Sequence, residues 1–374
     1  MKKFTKILLI GCLLVTVSCN NWLDVDPKSQ VKDKDLFASE MGFKEALSGV
    51  YSLMTKEALY GKELTFGWLG VLGQEWTSVP YNYEDDQKYD FENAASEVRI
   101  DSVWTGLYNA IANANKLLKE LEGKENLFSG DNYSIIKGEV LALRAYLHFD
   151  LLRIFGASCA VGMERIAIPY VTEYAPTIFP QEKVGDFVGT VLKDLQDAAK
   201  CLENDPILTG RTVSEIDDNG YLMNRQVHLN YYAVKGLMAR VYLYKGDYAN
   251  AEVCAKEVIG SGCFEWVKQE NLTNESVADL TFSTEHLFAL NIVTLGNIVD
   301  KYLDGGNNSF ALEESRLSEY YGSSYDYRYL YLFKTGVGMS NTLRYLKKYD
   351  QLESVSWAQS YRNKLPLICL PEMY

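Results

Sequence analysis

The residue types that most often do chemistry are few in this sequence and poorly spaced. None of the three histidines, His148, His228 and His286, has a serine, a cysteine or a second histidine at a useful spacing. The GxSxG, P-loop, HExxH and GxGxxG motifs are also absent. Nucleophilic catalysis, phosphoryl transfer and metallopeptidase chemistry therefore have no support. We expect no enzyme activity and no cofactor, and we expect His148 to be a satisfied core residue.

Two clusters of carboxylates could serve a glycosidase. They are Glu84-Asp85-Asp86 and Glu215-Ile216-Asp217-Asp218. A glycosidase needs two carboxylates about 5 to 9.5 Å apart in the fold, and the sequence does not give that distance. A solvated loop is the simpler interpretation of each cluster, and adventitious calcium binding is a further alternative.

Aromatic side chains are the strongest feature of the composition, with 27 tyrosines against 15 phenylalanines. Tyrosine suits positions where the ring is apolar and the hydroxyl is wet. Trp76, Tyr81, Asn82 and Tyr83 lie together, without helical periodicity, beside the first acidic cluster. Their rings can stack on the C–H faces of sugars while Asn82 takes hydroxyls, so we predict these four as ligand-binding residues. The alternative is that such loop aromatics only pin irregular backbone onto the core.

A second group of aromatics has the same two interpretations. It comprises Tyr320, Tyr321, Tyr325, Tyr327, Tyr329 and Tyr331. The cysteines are less informative, because the five beyond residue 19 form no CxxC pair and have no histidine at ligand spacing. They are Cys159, Cys201, Cys254, Cys263 and Cys369. An odd number does not make a disulfide scaffold, and we expect no zinc or other metal site.

Several amphipathic helices must position these side chains. Apolar residues recur at helical spacing in three windows, within residues 43–54, 104–121 and 187–202. We expect Ser102 to cap the second helix and Gly123 to end it. Residues 135–155 are apolar nearly all round and predict a central buried helix. Its few charged residues, Arg144 among them, must pair or reach the surface.

Residues 227–260 predict a helical hairpin of the tetratricopeptide type. Gly246 supplies the left-handed cap, Asp247 caps the next helix, Tyr248 packs into the angle and Ala251 lets the two helices approach. A second helix pair is indicated within residues 102–156. The sequence therefore predicts a mainly α-helical, tetratricopeptide-like scaffold over about residues 34–266.

The remainder of the chain has a different pattern. Residues 267–364 are rich in Gly, Asn, Ser and Tyr with short apolar stretches, which predicts long irregular loops. Residues 365–374 begin an apolar element and stop. We therefore expect a shortened sequence with a truncated final element, whose apolar start would be left exposed.

The first residues predict export and lipid attachment. Lys2, Lys3 and Lys6 precede an apolar run from Ile7 to Val17, as in a secretory signal peptide, and Cys19 follows. Cleavage after Ser18, with residues 1–18 as the signal peptide, would leave Cys19 as the first residue, where acyl chains make a lasting anchor. Cys12 has too short an apolar run before it, and an ordinary secreted protein with a free Cys19 is the alternative. The formal net charge of −13 disfavours nucleic acid and anionic surfaces as partners.

Several segments, in order, resemble the SusD/RagB family of outer-membrane nutrient-binding lipoproteins. They are residues 19–27, Ala142 to Tyr146, Asp150 to Gly156, Ile168 to Val171, the hairpin from Ala239 to Ala251, Asp326-Tyr327-Arg328 and Lys347-Lys348-Tyr349. The resemblance runs from Cys19 to the last residue as one domain, although the family's final helical region is missing.

The resemblance implies a SusD-like helical scaffold with a ligand-binding face of loops. It also implies an outer-membrane lipoprotein, facing the cell exterior, that passes a glycan to a TonB-dependent transporter partner. Uptake of peptides by a protein of the same family is an alternative. A glycosidase using Glu84, Asp85 or Asp86, or an assembly protein that touches no ligand, are others. The sequence does not give the identity of the ligand.

Overall fold

The computed structural model describes residues 33–214, 217–306, 308–323, 325–336, 342–350 and 363–374. The predicted signal peptide, the lipidation site at Cys19, and Glu215 and Ile216 of the second acidic cluster lie outside these residues. Within this part of the chain, no helix is long and apolar enough to cross a membrane.

Helices dominate the described residues, which confirms the predicted mainly α-helical fold. The longer ones are α1 (Glu40–Met54), α2 (Ala94–Leu121), α3 (Asn132–Phe155), α4 (Val184–Cys201), α5 (Tyr231–Lys245), α6 (Tyr248–Gly260), α7 (Leu295–Tyr302) and α8 (Glu314–Tyr321). Helical segments of four or five residues are Asp33–Leu36, Trp68–Leu72, Glu84–Gln87, Pro206–Thr209, Glu270–Thr273 and Tyr327–Tyr331. All three windows of helical periodicity thus lie in helices.

Helix α2 begins earlier than its apolar pattern indicated. The side chain of Asn93 accepts hydrogen bonds from the backbone N–H groups of Ala95 and Ser96, each at 3.0 Å, and so caps the helix. Ser102 lies inside the helix, where its hydroxyl donates to the Val98 carbonyl at 2.6 Å. The predicted Ser102 cap is therefore wrong, because Asn93 caps the helix and a serine inside a helix can satisfy its hydroxyl on the carbonyl four residues earlier.

Helix α3 is the central helix of the scaffold, as predicted. It packs between α2 and α4, and nearly every side chain from Ile135 to Leu152 is buried. Its buried charges are paired: Arg144 donates to both oxygens of Asp194, at 2.7 and 2.8 Å. Glu139 accepts from Arg225 at 2.6 Å. Such pairing is required, since a buried charge without a partner destabilises the folded protein by about 3–5 kcal/mol.

Helices α5 and α6 form the predicted hairpin. Gly246 ends α5 in the left-handed region, with φ +82°, and the Asp247 side chain accepts from the Asn250 N–H at 3.3 Å. Ala251 is buried, which allows the close approach. Tyr248, however, is 69 % exposed. The prediction that Tyr248 packs into the angle is therefore wrong.

Five short strands lie in the second half of the described chain. β1 (His286–Asn291) pairs antiparallel with β5 (Lys364–Cys369). β2 (Leu312–Glu313), β3 (Phe333–Thr335) and β4 (Leu343–Leu346) form an antiparallel sheet in the order β2-β4-β3.

The strands bring residues of the predicted loop region into the core. Leu287, Phe288 and Phe310 are fully buried, and so are Leu365 and Ile368 of β5. The expectation that the apolar start of the final segment is left exposed is therefore wrong, because β1 covers it.

Candidate functional site

A cavity of about 760 Å³ lies beside the C-terminal part of α3, where the helical scaffold meets the strands. Seven aromatic rings contribute to its wall: Tyr60, Phe66, Trp76, Tyr146, Tyr320, Phe333 and Tyr349. The remaining lining includes aliphatic side chains and five charged residues. This size and composition are typical of a pocket for a small ligand, since such pockets measure roughly 300–1,000 Å³.

The segment that carries Trp76 is held against a distant part of the chain. The backbone N–H groups of Thr77 and Ser78 both donate to the Ala311 carbonyl at 3.0 Å, and the Ala311 N–H donates back to Ser78 at 2.9 Å. The Tyr320 hydroxyl donates to the Gln74 carbonyl at 3.1 Å, although the two residues are 246 positions apart. These bonds fix the wall that Trp76 and Tyr320 share.

Trp76 presents only a small part of its ring to the cavity. Its indole N–H donates to the Phe66 carbonyl at 2.7 Å, and its ring centroid lies 5.6 Å from that of Phe310. The side chain is 5 % exposed. An unpaired indole N–H would be costly in this position, so the hydrogen bond fixes the ring in place.

Gly70 gives Trp76 the room that it needs. A Cβ atom on Gly70 would lie 2.7 Å from the indole Nε1 and 3.2 Å from a carboxylate oxygen of Glu75. Only glycine therefore lets the indole and this carboxylate lie side by side against the helix Trp68–Leu72.

The other three predicted ligand-binding residues do not line this cavity. Tyr81 is 82 % exposed, and Asn82 is exposed while its carbonyl accepts from Arg99 at 3.0 Å. Tyr83 is fully buried, and its hydroxyl donates to Glu63 at 2.8 Å. The structure thus gives Tyr83 a packing role instead of the free ring face that we predicted. Ligand binding by the group stays a prediction.

The first acidic cluster is divided between the core and the solvent. Asp86 is fully buried, pairs with Arg99 and accepts from the Trp68 indole at 3.1 Å. Burial raises the pKa of Asp86, although Arg99 opposes that rise. Glu84 and Asp85 are exposed. None of the three lines the cavity, so the structure does not place them as a catalytic pair there.

Two ion pairs lie in the cavity wall. Asp150 pairs with Arg153 and accepts from the Tyr60 hydroxyl at 2.7 Å. Arg240 donates to Glu372 at 2.5 and 3.0 Å and to the Leu367 carbonyl at 2.9 Å. The sequence analysis singled out neither pair as part of a site. Helical periodicity places Arg153 and Arg240 on helices, but only tertiary packing brings the two helices together here.

Of the second tyrosine group, Tyr320 alone is placed in the cavity wall. Tyr320 is 49 % exposed. The ring centroid of Tyr321 lies 6.0 Å from that of Phe333. The rings of Tyr327 and Tyr331 lie nearly parallel, with centroids 6.0 Å apart, on the helix Tyr327–Tyr331. Tyr325 is 86 % exposed and Tyr329 donates to Glu314 at 3.2 Å.

His148 and His228 are held by hydrogen bonds within the scaffold. His148 lies in the core: one ring nitrogen contacts the Arg144 carbonyl at 2.9 Å and the other accepts from the Val171 N–H at 2.9 Å. Burial lowers its pKa to about 3, so the ring is neutral at physiological pH. His228 contacts Glu139 at 2.8 Å. Among the described residues, no group of His, Cys, Asp and Glu side chains could hold a metal ion.

Comparison with known proteins assigns the scaffold. A family model of SusD-like proteins, described as starch-binding and associating with the outer membrane, matches residues 21–243. A SusD-like protein of Formosa agariphila is 24 % identical over 269 residues, which cover 71 % of this chain and 47 % of that protein. The chain thus spans about half the length of this curated relative.

Solved structures have the same fold. A SusD superfamily protein from Bacteroides thetaiotaomicron superposes with a TM-score of 0.67 at 20 % identity, over 90 % of this chain and 74 % of that one. A laminarin-binding SusD-like protein superposes with a TM-score of 0.64 at 17 % identity, over 90 % and 79 % of the two chains. These likenesses confirm the predicted tetratricopeptide-like scaffold with its irregular additions.

Proposed function

Because this chain belongs to the SusD-like family of outer-membrane-associated, starch-binding proteins, we propose that it binds an oligosaccharide in the 760 Å³ cavity. The observation that carries the proposal is the aromatic wall of that cavity. Sugar rings offer C–H faces that stack on flat aromatic rings, and the paired charges beside those rings can hydrogen-bond the hydroxyls.

A neighbour with the same fold supports this ligand class, since it is described as laminarin-binding. Tyr320 is the best-placed stacking residue, because half of its side chain is exposed while its hydroxyl is held by Gln74. Trp76 also lines the cavity, although only 5 % of this residue is exposed. Tyr81 and Asn82, which are exposed, would contact only a ligand that extends beyond the cavity.

The family is one of binding proteins, and capture of a glycan needs no bond chemistry. We extend the proposal to the cell: the protein, anchored at the outer face of the outer membrane by lipid on Cys19, passes its glycan to a TonB-dependent transporter. A strain that lacks the protein should then fail to take up a glycan that the purified protein binds. Normal uptake by that strain would contradict the proposed delivery to a transporter, but it would not contradict the proposed binding of a glycan.

The test of binding uses isothermal titration with laminarin and soluble starch. Tyr320→Ala should weaken the binding of whichever glycan the protein takes by about tenfold, which is about 1.4 kcal/mol, because the stacking face is lost. The matched control is Tyr248→Ala, which removes a tyrosine that is 69 % exposed on the α5–α6 hairpin and should change nothing.

Two outcomes would contradict the proposal. Equal affinity of the wild type and Tyr320→Ala for a bound glycan would move the site away from the cavity. Binding of peptides but of no glycan would favour the peptide-uptake alternative.

A further inference from the structure

Most of the charged side chains in the cavity wall are paired with one another, and one carboxylate is not paired among the described residues. These charges bear on the class of ligand only if the cavity binds a glycan, as proposed above. Its charged lining residues are Glu75, Asp150, Arg153, Arg240 and Glu372.

Among the described residues, the two cations in the wall, Arg153 and Arg240, are both paired with carboxylates. Arg153 pairs with Asp150, which is itself 4 % exposed and fixed by the Tyr60 hydroxyl at 2.7 Å. Arg240 donates to Glu372 and to the Leu367 carbonyl. An anionic sugar that took the Arg153 guanidinium would leave the buried Asp150 carboxylate without its partner, and that loss is costly.

Glu75 is the remaining charge. Among the described residues, its side chain makes no hydrogen bond or ion pair, whereas the side chain of each of the other four charged lining residues does. Its carboxylate lies beside the Trp76 indole, since both groups are close to the position that a Cβ on Gly70 would occupy. Burial raises the pKa of Glu75.

The position of Glu75 therefore has two consequences. A carboxylate accepts hydrogen bonds and donates none, and its two oxygens can receive two neighbouring sugar hydroxyls. The same charge repels a carboxylate or a sulfate on a sugar.

We infer that Glu75 is a specificity-determining residue: it accepts hydrogen bonds from adjacent hydroxyls of an uncharged glycan and excludes uronic-acid and sulfated glycans from the cavity. The geometry behind this inference is a carboxylate that has no side-chain partner among the described residues, beside an aromatic wall whose described cations are both paired.

The experiment compares the wild type, Glu75→Gln and Glu97→Gln by isothermal titration at low ionic strength. The probes are laminarin and starch as neutral glycans, polygalacturonate as a uronic-acid polymer and carrageenan as a sulfated one. Glu75→Gln is nearly isosteric, and thermal unfolding checks that the variant folds. Glu97, which is exposed on α2 away from the cavity, provides the matched loss of one negative charge.

We expect the wild type to bind a neutral glycan at least about tenfold more tightly than either anionic polymer. Glu75→Gln should weaken the binding of the neutral glycan by about tenfold, because a charge-assisted hydrogen-bond acceptor is removed. It should also reduce the difference in affinity between neutral and anionic glycans, because a repulsive charge is removed. Glu97→Gln should leave both affinities unchanged.

The inference is overturned if the wild type binds an anionic polymer as tightly as a neutral glycan, or if Glu75→Gln behaves like Glu97→Gln. In either case Tyr320→Ala can still weaken binding, and the proposed function then stands. Failure of all four polymers to bind would instead overturn the proposed function.

Discussion

Glu139 is a charged residue that the scaffold encloses completely. It is 0 % exposed and accepts from Arg225 at 2.6 Å, from the Tyr51 hydroxyl at 3.0 Å and contacts His228 at 2.8 Å. Burial alone would raise the pKa of Glu139, but Arg225 and His228 overcome this effect and lower it to about 2. The carboxylate thus joins α3 to the segment before α5.

This pKa predicts an acid-sensitive fold. The folded-state pKa of Glu139 lies below the ordinary value of 4.5, so its ionised form stabilises the protein above pH 4.5. That stabilisation is lost as the pH falls from 4.5 towards about 2. The free energy of unfolding, measured with urea across this window, should fall steeply in the wild type.

Glu139→Gln should be less stable at neutral pH and should show a shallower dependence on pH between 4.5 and about 2. Glu97→Gln, at an exposed position, controls for the change in net charge and should keep the slope of the wild type. An unchanged slope in Glu139→Gln would contradict the assigned pKa.

Individual side chains show how far residue types alone can predict a site. Sequence reasoning found Trp76 because aromatic residues cluster around it, and the structure places it in the cavity wall. It gave Tyr83 the same role, although Tyr83 is fully buried against Glu63 and Arg99. Glu63 and Arg99 are distant in sequence from one another, so nothing in the local pattern around Tyr83 showed that they would enclose it.

The hairpin of α5 and α6 depends on one backbone conformation at its turn. Gly246 has φ +82°, in the left-handed region, and its N–H donates to the Leu243 carbonyl at 3.0 Å. A Cβ there would meet no atom within 4 Å. The constraint on this position is therefore conformational and not one of space.

We predict that Gly246→Ala destabilises the protein by about 1 kcal/mol, since alanine must adopt a positive φ. The control is Gly189→Ala within α4, where a Cβ also meets nothing within 4 Å and the backbone is helical. That change should stabilise the protein by about 0.5–1 kcal/mol. Thermal unfolding of both variants measures whether their stabilities change in opposite directions. A change in the same direction would contradict the prediction.

Helices and strands differed in how well the sequence revealed them. The helices were found because an apolar face repeats within each segment and needs no information from elsewhere. Strands β1 and β5 are instead defined by pairing, with Leu290 opposite Leu365, across a long stretch of intervening chain. Each strand was only a short apolar run in the sequence, so the sheet that completes the core was missed.

The chain as a whole is acidic, with a formal net charge of −13, and in the proposed function it stays at the membrane through lipid. Neutral glycans fit such a molecule because they are not repelled by its field. An attachment that depends on basic patches does not suit this charge, so the lipid on Cys19 would have to supply the anchor.

We predict that Cys19→Ser abolishes lipid labelling and releases the protein from the membrane fraction. The measurement is incorporation of radiolabelled palmitate in cells, followed by fractionation. Cys12→Ser is the matched control, since it removes a cysteine from the same apolar segment and should leave labelling intact. Labelling of Cys19→Ser at the level of the wild type would contradict the predicted anchor.

The cavity wall joins parts of the chain that are far apart in sequence, as the bond between Tyr320 and Gln74 across 246 positions shows. An unfolded chain therefore has no binding site, and any ligand that occupies the cavity binds the native state alone. Occupancy and folding are then linked by mass action: a ligand at 100 times its dissociation constant adds about 2.7 kcal/mol to the free energy of unfolding. A nutrient that fills the cavity would also make the protein harder for a protease to digest.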